Sequence, residues 1–263
     1  MNKEGASSRS SFLEYYRDLV SVLLQKEFTI RYKNTILGYA WSVLHPLFFA
    51  AVYIFAFKYI LKIRIPNYTL FLISGVFFWQ AFSNSICASS VAFISNSTLI
   101  KKLQFPKESL VLAGVLNDAF HFIISIPIIA LVMFFYKVSP LWSWVWVIPV
   151  LLLFQLMLTF GLALIVATYN LFFRDLERFV TIVMMLWFYV TPIIYKEDMV
   201  PTVFQWVNLA NPVAGLVINW RHLFMGEPLS VTFLWVSLIW STLIFALGYL
   251  VYYRLNWKFP EYV

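Results

Sequence analysis

SWVWVIPVLLLFQLMLTFGLALIVAT, residues 143–168, carries no charged side chain at any position. As a helix rising about 1.5 Å per residue it outruns the roughly 30 Å hydrocarbon core of a bilayer. A helix resting on a soluble core keeps a charged face for water; this segment has none, so its solvent is lipid. Reading outward in both directions, apolar runs long enough to span recur at 38–61, 68–93, 110–136, 178–195 and 231–253, which makes six spans. Composition agrees. Of 263 residues 62% are hydrophobic and 12% charged, with a mean hydropathy of +0.81, more apolar surface than a water-soluble domain of this length hides. The fold class that follows is all-α: a polytopic membrane protein with six transmembrane helices, an N-terminal amphipathic interface helix and two short re-entrant outer helices before the last span. No repeat or linker divides the chain, so 1–263 reads as one domain.

Residues 11–28 place Phe12, Tyr16, Leu19, Val20, Leu23 and Leu24 on one side of a helix and Glu14, Arg17, Asp18, Ser21 and Gln25 on the other. Ser11 with Glu14 fits a capping box at its start. Such a helix lies along a membrane surface. The first thirty residues are charged where a cleavable signal would be apolar, so the first span is expected to act as an uncleaved anchor.

Six spans put both termini on one side. Thirteen of the nineteen Lys and Arg residues then fall with the termini and six (Lys58, Lys62, Arg64, Lys137, Lys196, Arg221) opposite, which makes the N- and C-termini cytoplasmic. The net charge of +7 is thus a topological signal, not the footprint of nucleic-acid binding. Cys87 is the only cysteine, so no intrachain disulfide is possible.

The segment 196–230 stays apolar but is broken by Pro201, Asn211-Pro212 and Gly226-Glu227-Pro228, the pattern of two short helices near 199–225 dipping back into the outer leaflet. Irregular backbone at that depth needs protein or a watery cavity around it.

Catalytic signals are thin. His45, His121 and His222 lie on separate segments without metal-ligand spacing, and no Walker motif, nucleophile elbow or Gly-rich phosphate loop occurs. Asn117, Asp118 and His121 fall inside the third span, where a polar group is either a relay or pore lining, or a hydrogen-bonded structural cluster. Aromatic residues form 20% of the chain, and those within spans serve as interface anchors, packing, or flat platforms for sugar rings. Two cytoplasmic loops have the form of docking elements. In 94–109, Lys101 and Lys102 stand beside Leu99, Ile100, Leu103 and Phe105 in a short helix stopped by Pro106. In 169–179, Arg174, Asp175, Glu177 and Arg178 precede a span, where they pair locally or meet a soluble partner.

RYKNTILGYAWSVLHP at 31–46, NLFFRDLERF at 170–179, TPIIY at 191–195 and NP at 211–212, in this order and spacing, resemble the permease subunits of type-2 ABC exporters for cell-surface polysaccharide, most closely those that export O-antigen. The resemblance covers nearly the whole chain. It implies a homodimer in the bacterial inner membrane, bound to two copies of a separate ABC ATPase that carries ATP and Mg, with no cofactor in this chain and no enzyme activity of its own. The exported cargo would be a polysaccharide on an undecaprenyl-type lipid. Carried over position by position, pore lining falls on Tyr39, Trp41, Tyr53, Phe57, Trp187 and Tyr189. ATPase coupling falls on residues 11–28, on Leu99, Ile100, Lys101, Lys102, Leu103 and Phe105, and on Arg174 and Asp175. Gating falls on Trp206, Asn211, Pro212 and Trp220. Capsule or teichoic acid export, and small-molecule efflux by the same architecture, are the alternatives. An intramembrane enzyme would need Asp118 or His121 as its acid or base.

Overall fold

The computed structural model describes residues 4–32, 38–60, 62, 65–140 and 142–262. Among them all regular structure is helical. The long elements are α1 (Glu4–Tyr32), α2 (Trp41–Tyr53), α3 (Tyr68–Ser90), then the short α4 (Ala92–Ser95) and α5 (Ser97–Lys102), followed by α6 (Glu108–Phe135), α7 (Trp144–Phe172) and α8 (Leu176–Val190). The short α9 (Trp206–Ala210), α10 (Ala214–Met225), the long α11 (Val231–Leu255) and a final turn, α12 (Phe259–Tyr262), complete the chain. Among the described residues five helical stretches are long and apolar enough to cross a bilayer: Val43–Ile60, α3, α6, α7 and Val231–Lys258. The first joins α2 to a π-helical continuation, Ile54–Ile60.

Two boundaries differ from the sequence reading for physical reasons. Helix α1 already includes Glu4, seven residues before the expected capping box, because Ala6, Arg9 and the serines among 5–10 are tolerated inside a helix and Gly5 costs only about 1 kcal/mol there. Ser11 therefore does not start it. Helix α8 covers 15 residues and ends at Val190, short of the expected 195. Pro192 drives its predecessor Thr191 to extended backbone (φ −86°, ψ 137°) and closes the helix there.

Helix α3 is the central post, in contact with α2, α6, α7, α8 and α10. The closest pairing is α7 with α11. There Gly161 and Gly248 meet backbone to backbone, and a Cβ on Gly248 would stand 2.2 Å from the Gly161 carbonyl oxygen. Small residues permit such approach between helices in lipid, where dispersion contacts replace the hydrophobic effect. Helix α1 packs along α6 through buried Leu23 and through Phe28, whose ring meets Phe120 edge-on at 5.2 Å. The C-terminal turn folds back under the core, with Phe259 fully buried and 4.8 Å from the Phe93 ring.

Candidate functional site

Helices α2, α3 and α8 enclose a groove of about 210 Å³ whose walls include Phe49, Tyr53, Trp79, Gln80, Ser83 and Tyr189. Its aromatic wall is built from interlocked rings. Tyr53 stacks on Phe188 at 5.3 Å, Phe188 meets Trp79 edge-on at 5.8 Å, and Trp79 meets Trp187 at 6.3 Å. Offset and edge-to-face contacts of this kind hold rings in fixed orientation. Of the expected pore residues, Tyr53 and Tyr189 border the groove, and Phe57 lies one turn from Tyr53, with centroids 6.1 Å apart. Trp41 stands exposed at the start of α2. The side chain of Tyr39 lies outside the described residues. Trp187 turns from the groove to line an apolar cleft of about 390 Å³ between α7 and α8.

Trp187 also joins the groove to the segment beyond α8. Its Nε1 donates to Asn211 Oδ1 at 3.0 Å, the same oxygen accepts from the Val213 N–H, and Asn211 Nδ2 donates to Thr191 Oγ1. The break at Pro192 leaves carbonyls without helical partners, and several of them find a side chain. Arg221 Nη2 donates to the Pro192 and Ile193 oxygens, and Tyr68 donates to Ile194. Tyr195 Oη donates back to Val190 on α8. The Arg221 guanidinium lies 3.7 Å from the centroid of Phe71. Burial lowers its pKa to about 10, partly offset by Glu197 and Glu227, so it remains a cation at neutral pH.

Beside it, His222 Nε2 faces Glu197 at 3.4 Å and Glu227 at 3.8 Å, and its Nδ1 meets the Pro228 carbonyl at 2.9 Å. A carbonyl only accepts, so Nδ1 holds a proton, and two carboxylates favour a second one on Nε2. The hydrogen bond to Glu197 leads in raising the His222 pKa, against opposing burial and with help from the charges of Glu197 and Glu227. Burial pushes the Glu197 carboxyl up, but the His222 hydrogen bond, its own backbone and the charge of Arg221 outweigh that and hold it below the ordinary carboxylate range.

The four residues assigned to gating divide. Asn211 is the buried hub just described, Pro212 is half-buried, and Trp206 is exposed. Trp220 is fully buried, edge-on to Phe122 at 4.9 Å and stacked on Phe224. Arg221, Tyr68 and the Glu197–His222 pair escaped the sequence reading, in which Arg221 counted only as an outer-loop cation. Gln80 and Ser83 escaped it as well; their signal is a three-residue spacing of polar side chains inside an apolar span.

At the opposite end of the molecule, α4 and α5 form the loop expected to dock. Ile100 is buried, Leu99 and Phe105 are half-buried, and Lys101, Lys102 and Leu103 stand exposed. Lys26 of α1 donates to Asn96 Oδ1 at the start of α5, which ties together the two elements assigned to the ATPase. Arg174 and Asp175 are exposed in the turn before α8, where Asn170 Oδ1 accepts from the Glu177 N–H. From α3, Ser85 Oγ donates to Asp118 Oδ2 of α6 at 3.0 Å, and the His121 ring lies edge-on to Phe28. Among the described residues no group of three His, Cys, Asp or Glu side chains is placed to hold a metal ion.

Two O-antigen export system permease proteins RfbA of Klebsiella pneumoniae are each 42% identical to this chain over 249 residues, covering 95% of it and 96% of the relative. A third, from Myxococcus xanthus, is 30% identical over 239 residues, covering 86% of this chain and 92% of the relative. The profile of the ABC-2 type transporter family matches residues 18–225, a stretch that holds the groove, the broken end of α8 and both loops expected to dock, and the chain therefore belongs to the ABC-2 type transporter family.

Proposed function

We propose that this chain is the channel-forming permease of an ATP-driven exporter that carries lipid-linked polysaccharide, O-antigen of lipopolysaccharide, across the bacterial inner membrane. The observation that carries the reading is the ring-walled groove of Tyr53, Trp79 and Tyr189 wired through Trp187 to Asn211 at the break of α8. A pyranose ring presents a flat C–H face that stacks on aromatic rings without demanding one sugar identity, so such a wall lets a polymer slide. The three RfbA relatives, named for O-antigen export, support the same cargo.

In this reading α8 is the fifth span in chain order and brings the total to six. Its 15 helical residues cover about 22 Å at 1.5 Å each, and the buried run Thr191–Ile194 continues it through the outer leaflet with its carbonyls satisfied by protein. Helices α9 and α10 dip back beside it as the gate. Two copies of the chain enclose one path, both termini are cytoplasmic, and two ABC ATPase subunits supply ATP and Mg and grip α1, Lys101, Lys102, Leu103, Arg174 and Asp175. The undecaprenyl-type anchor enters laterally from the inner leaflet. Purified permease–ATPase complex supplied with the native polymer tests this: ATP hydrolysis rises, and Tyr53→Ala with Tyr189→Ala blunts the rise. Unchanged hydrolysis with every polymer fraction counts against it.

A second reading, efflux of a small apolar molecule, draws on the wholly apolar cleft between α7 and α8. It requires transport to survive the loss of Tyr53 and Tyr189.

A further inference from the structure

From Leu70 to Ser90 every residue of α3 is buried except Gln80, Ser83, Asn84, Cys87 and Ala88. Those five follow the spacing i, i+3, i+4, i+7, i+8, which is one stripe of a helix. The stripe starts at the middle of the 23-residue helix, at hydrocarbon depth, and runs about 12 Å toward its cytoplasmic end. All five residues are polar or small.

The open faces of neighbouring spans are the reverse. Helix α6 exposes Phe120, Ile123 and Leu131, and α11 exposes Trp235, Ile239 and Leu243, the side chains that lipid accepts. Among the described residues neither Gln80 nor Asn84 has a hydrogen-bond partner, and an unpaired amide facing acyl chains is costly, because nothing there can replace water. Gln80, Ser83 and Cys87 also line the groove opposite Tyr53 and Tyr189.

We infer that this stripe of α3 is the hydrogen-bonding wall of the permeation path: Gln80 and Asn84 exchange bonds with water and with the hydroxyls of the passing sugar chain, while the rings opposite carry its C–H faces. The wall's exposure to water stands apart from the nature of the cargo; its contact with sugar rests on the function proposed above. Aromatic platforms alone hold a sugar ring without orienting it, and amides supply the donors and acceptors that do so.

Cys87, the chain's only cysteine, is a native probe of the stripe. The permease–ATPase complex in lipid vesicles is treated with a charged, membrane-impermeant thiosulfonate. Single cysteines are also placed by Gln80→Cys, Asn84→Cys and, on the lipid face of α11, Leu243→Cys, each in a Cys87→Ala background. Labelling at 80, 84 and 87 is expected to run at least about tenfold faster than at 243, since the thiolate forms only where water reaches it, and added polymer should slow it. Rates at 80, 84 and 87 no faster than at 243 overturn the inference whatever the cargo. Fast labelling that polymer leaves unchanged overturns the sugar contact and counts against the polysaccharide reading, while the wall remains wet. Gln80→Leu with Asn84→Leu supplies a readout that packing does not move. Leucine suits a lipid face, so export intact in this variant contradicts the inference, and export lost with the permease still expressed and co-purifying with its ATPase supports it.

Discussion

Asn211 accepts from Trp187 and from the Val213 backbone and donates to Thr191. Replacing it by Ala strands an indole N–H and a backbone N–H in a buried site, at a cost of about 1–3 kcal/mol for each unsatisfied group. Thermal denaturation of the detergent-solubilised protein should show Asn211→Ala melting well below wild type. Next to it, the His222–Glu197 pair makes a pH signature. A histidine with a raised pKa contributes stability that is complete below about pH 6.5 and lost as pH rises through the raised value, because the folded protein alone holds the extra proton. Glu197, held low, contributes at neutral pH and loses its share only as pH falls through its depressed pKa. The melting temperature should therefore decline from mildly acidic toward alkaline pH in the wild type, and His222→Gln should flatten that limb. None of this was legible beforehand. Asn211-Pro212 marked a helix break in the sequence, but its partners Trp187 and Thr191 lie twenty or more residues away, and an arginine in an outer loop gives no sign that it will be buried to cap carbonyls.

At the scale of elements, spans declared themselves by length and by the absence of charge, and five of the six expected segments are long apolar helices. The shorter α8 shows what apolarity cannot report: a proline fixes where the helix stops, while hydropathy runs on through TPIIY. Helix pairing was equally hidden. Gly161 and Gly248 are single glycines in long apolar runs, and only their crossing reveals that neither has room for a side chain. Gly248→Val should separate α7 from α11, and since the clash is with backbone rather than a movable side chain, the cost should reach the upper part of the roughly 1–3 kcal/mol range for overpacked sites. Loss of folded protein from the membrane fraction, with Ala246→Val beside it unaffected, is the measurement. On the loop of α4 and α5, buried Ile100 holds the helix down while Lys101 and Lys102 point outward. Lys101→Glu with Lys102→Glu should leave the permease folded and weaken its hold on the ATPase, seen as loss of co-purified ATPase that grows worse with rising salt.

Across the whole molecule, the distribution of polarity over open surface carries the functional account. Apolar side chains are exposed on α6 and α11, aromatic and polar side chains line the groove of α2, α3 and α8, and charged side chains are exposed at α5 and before α8; the proposed function assigns these surfaces to lipid, cargo and ATPase in turn. Membrane class and family were readable from one sequence, because composition and short motifs are local properties. The geometry of the path was not, because Tyr53, Gln80 and Tyr189 belong to three separate helices whose alignment arises only on folding. The central claim, export of surface polysaccharide, is tested most directly by deleting the gene in its native host, restoring it as a control, and locating the surface polymer by fractionation and immunoblot. Polymer retained in the cytoplasm and inner membrane of the deletion strain, and returned to the surface by the restored gene, is the predicted result; normal surface polymer in the deletion strain would contradict the account.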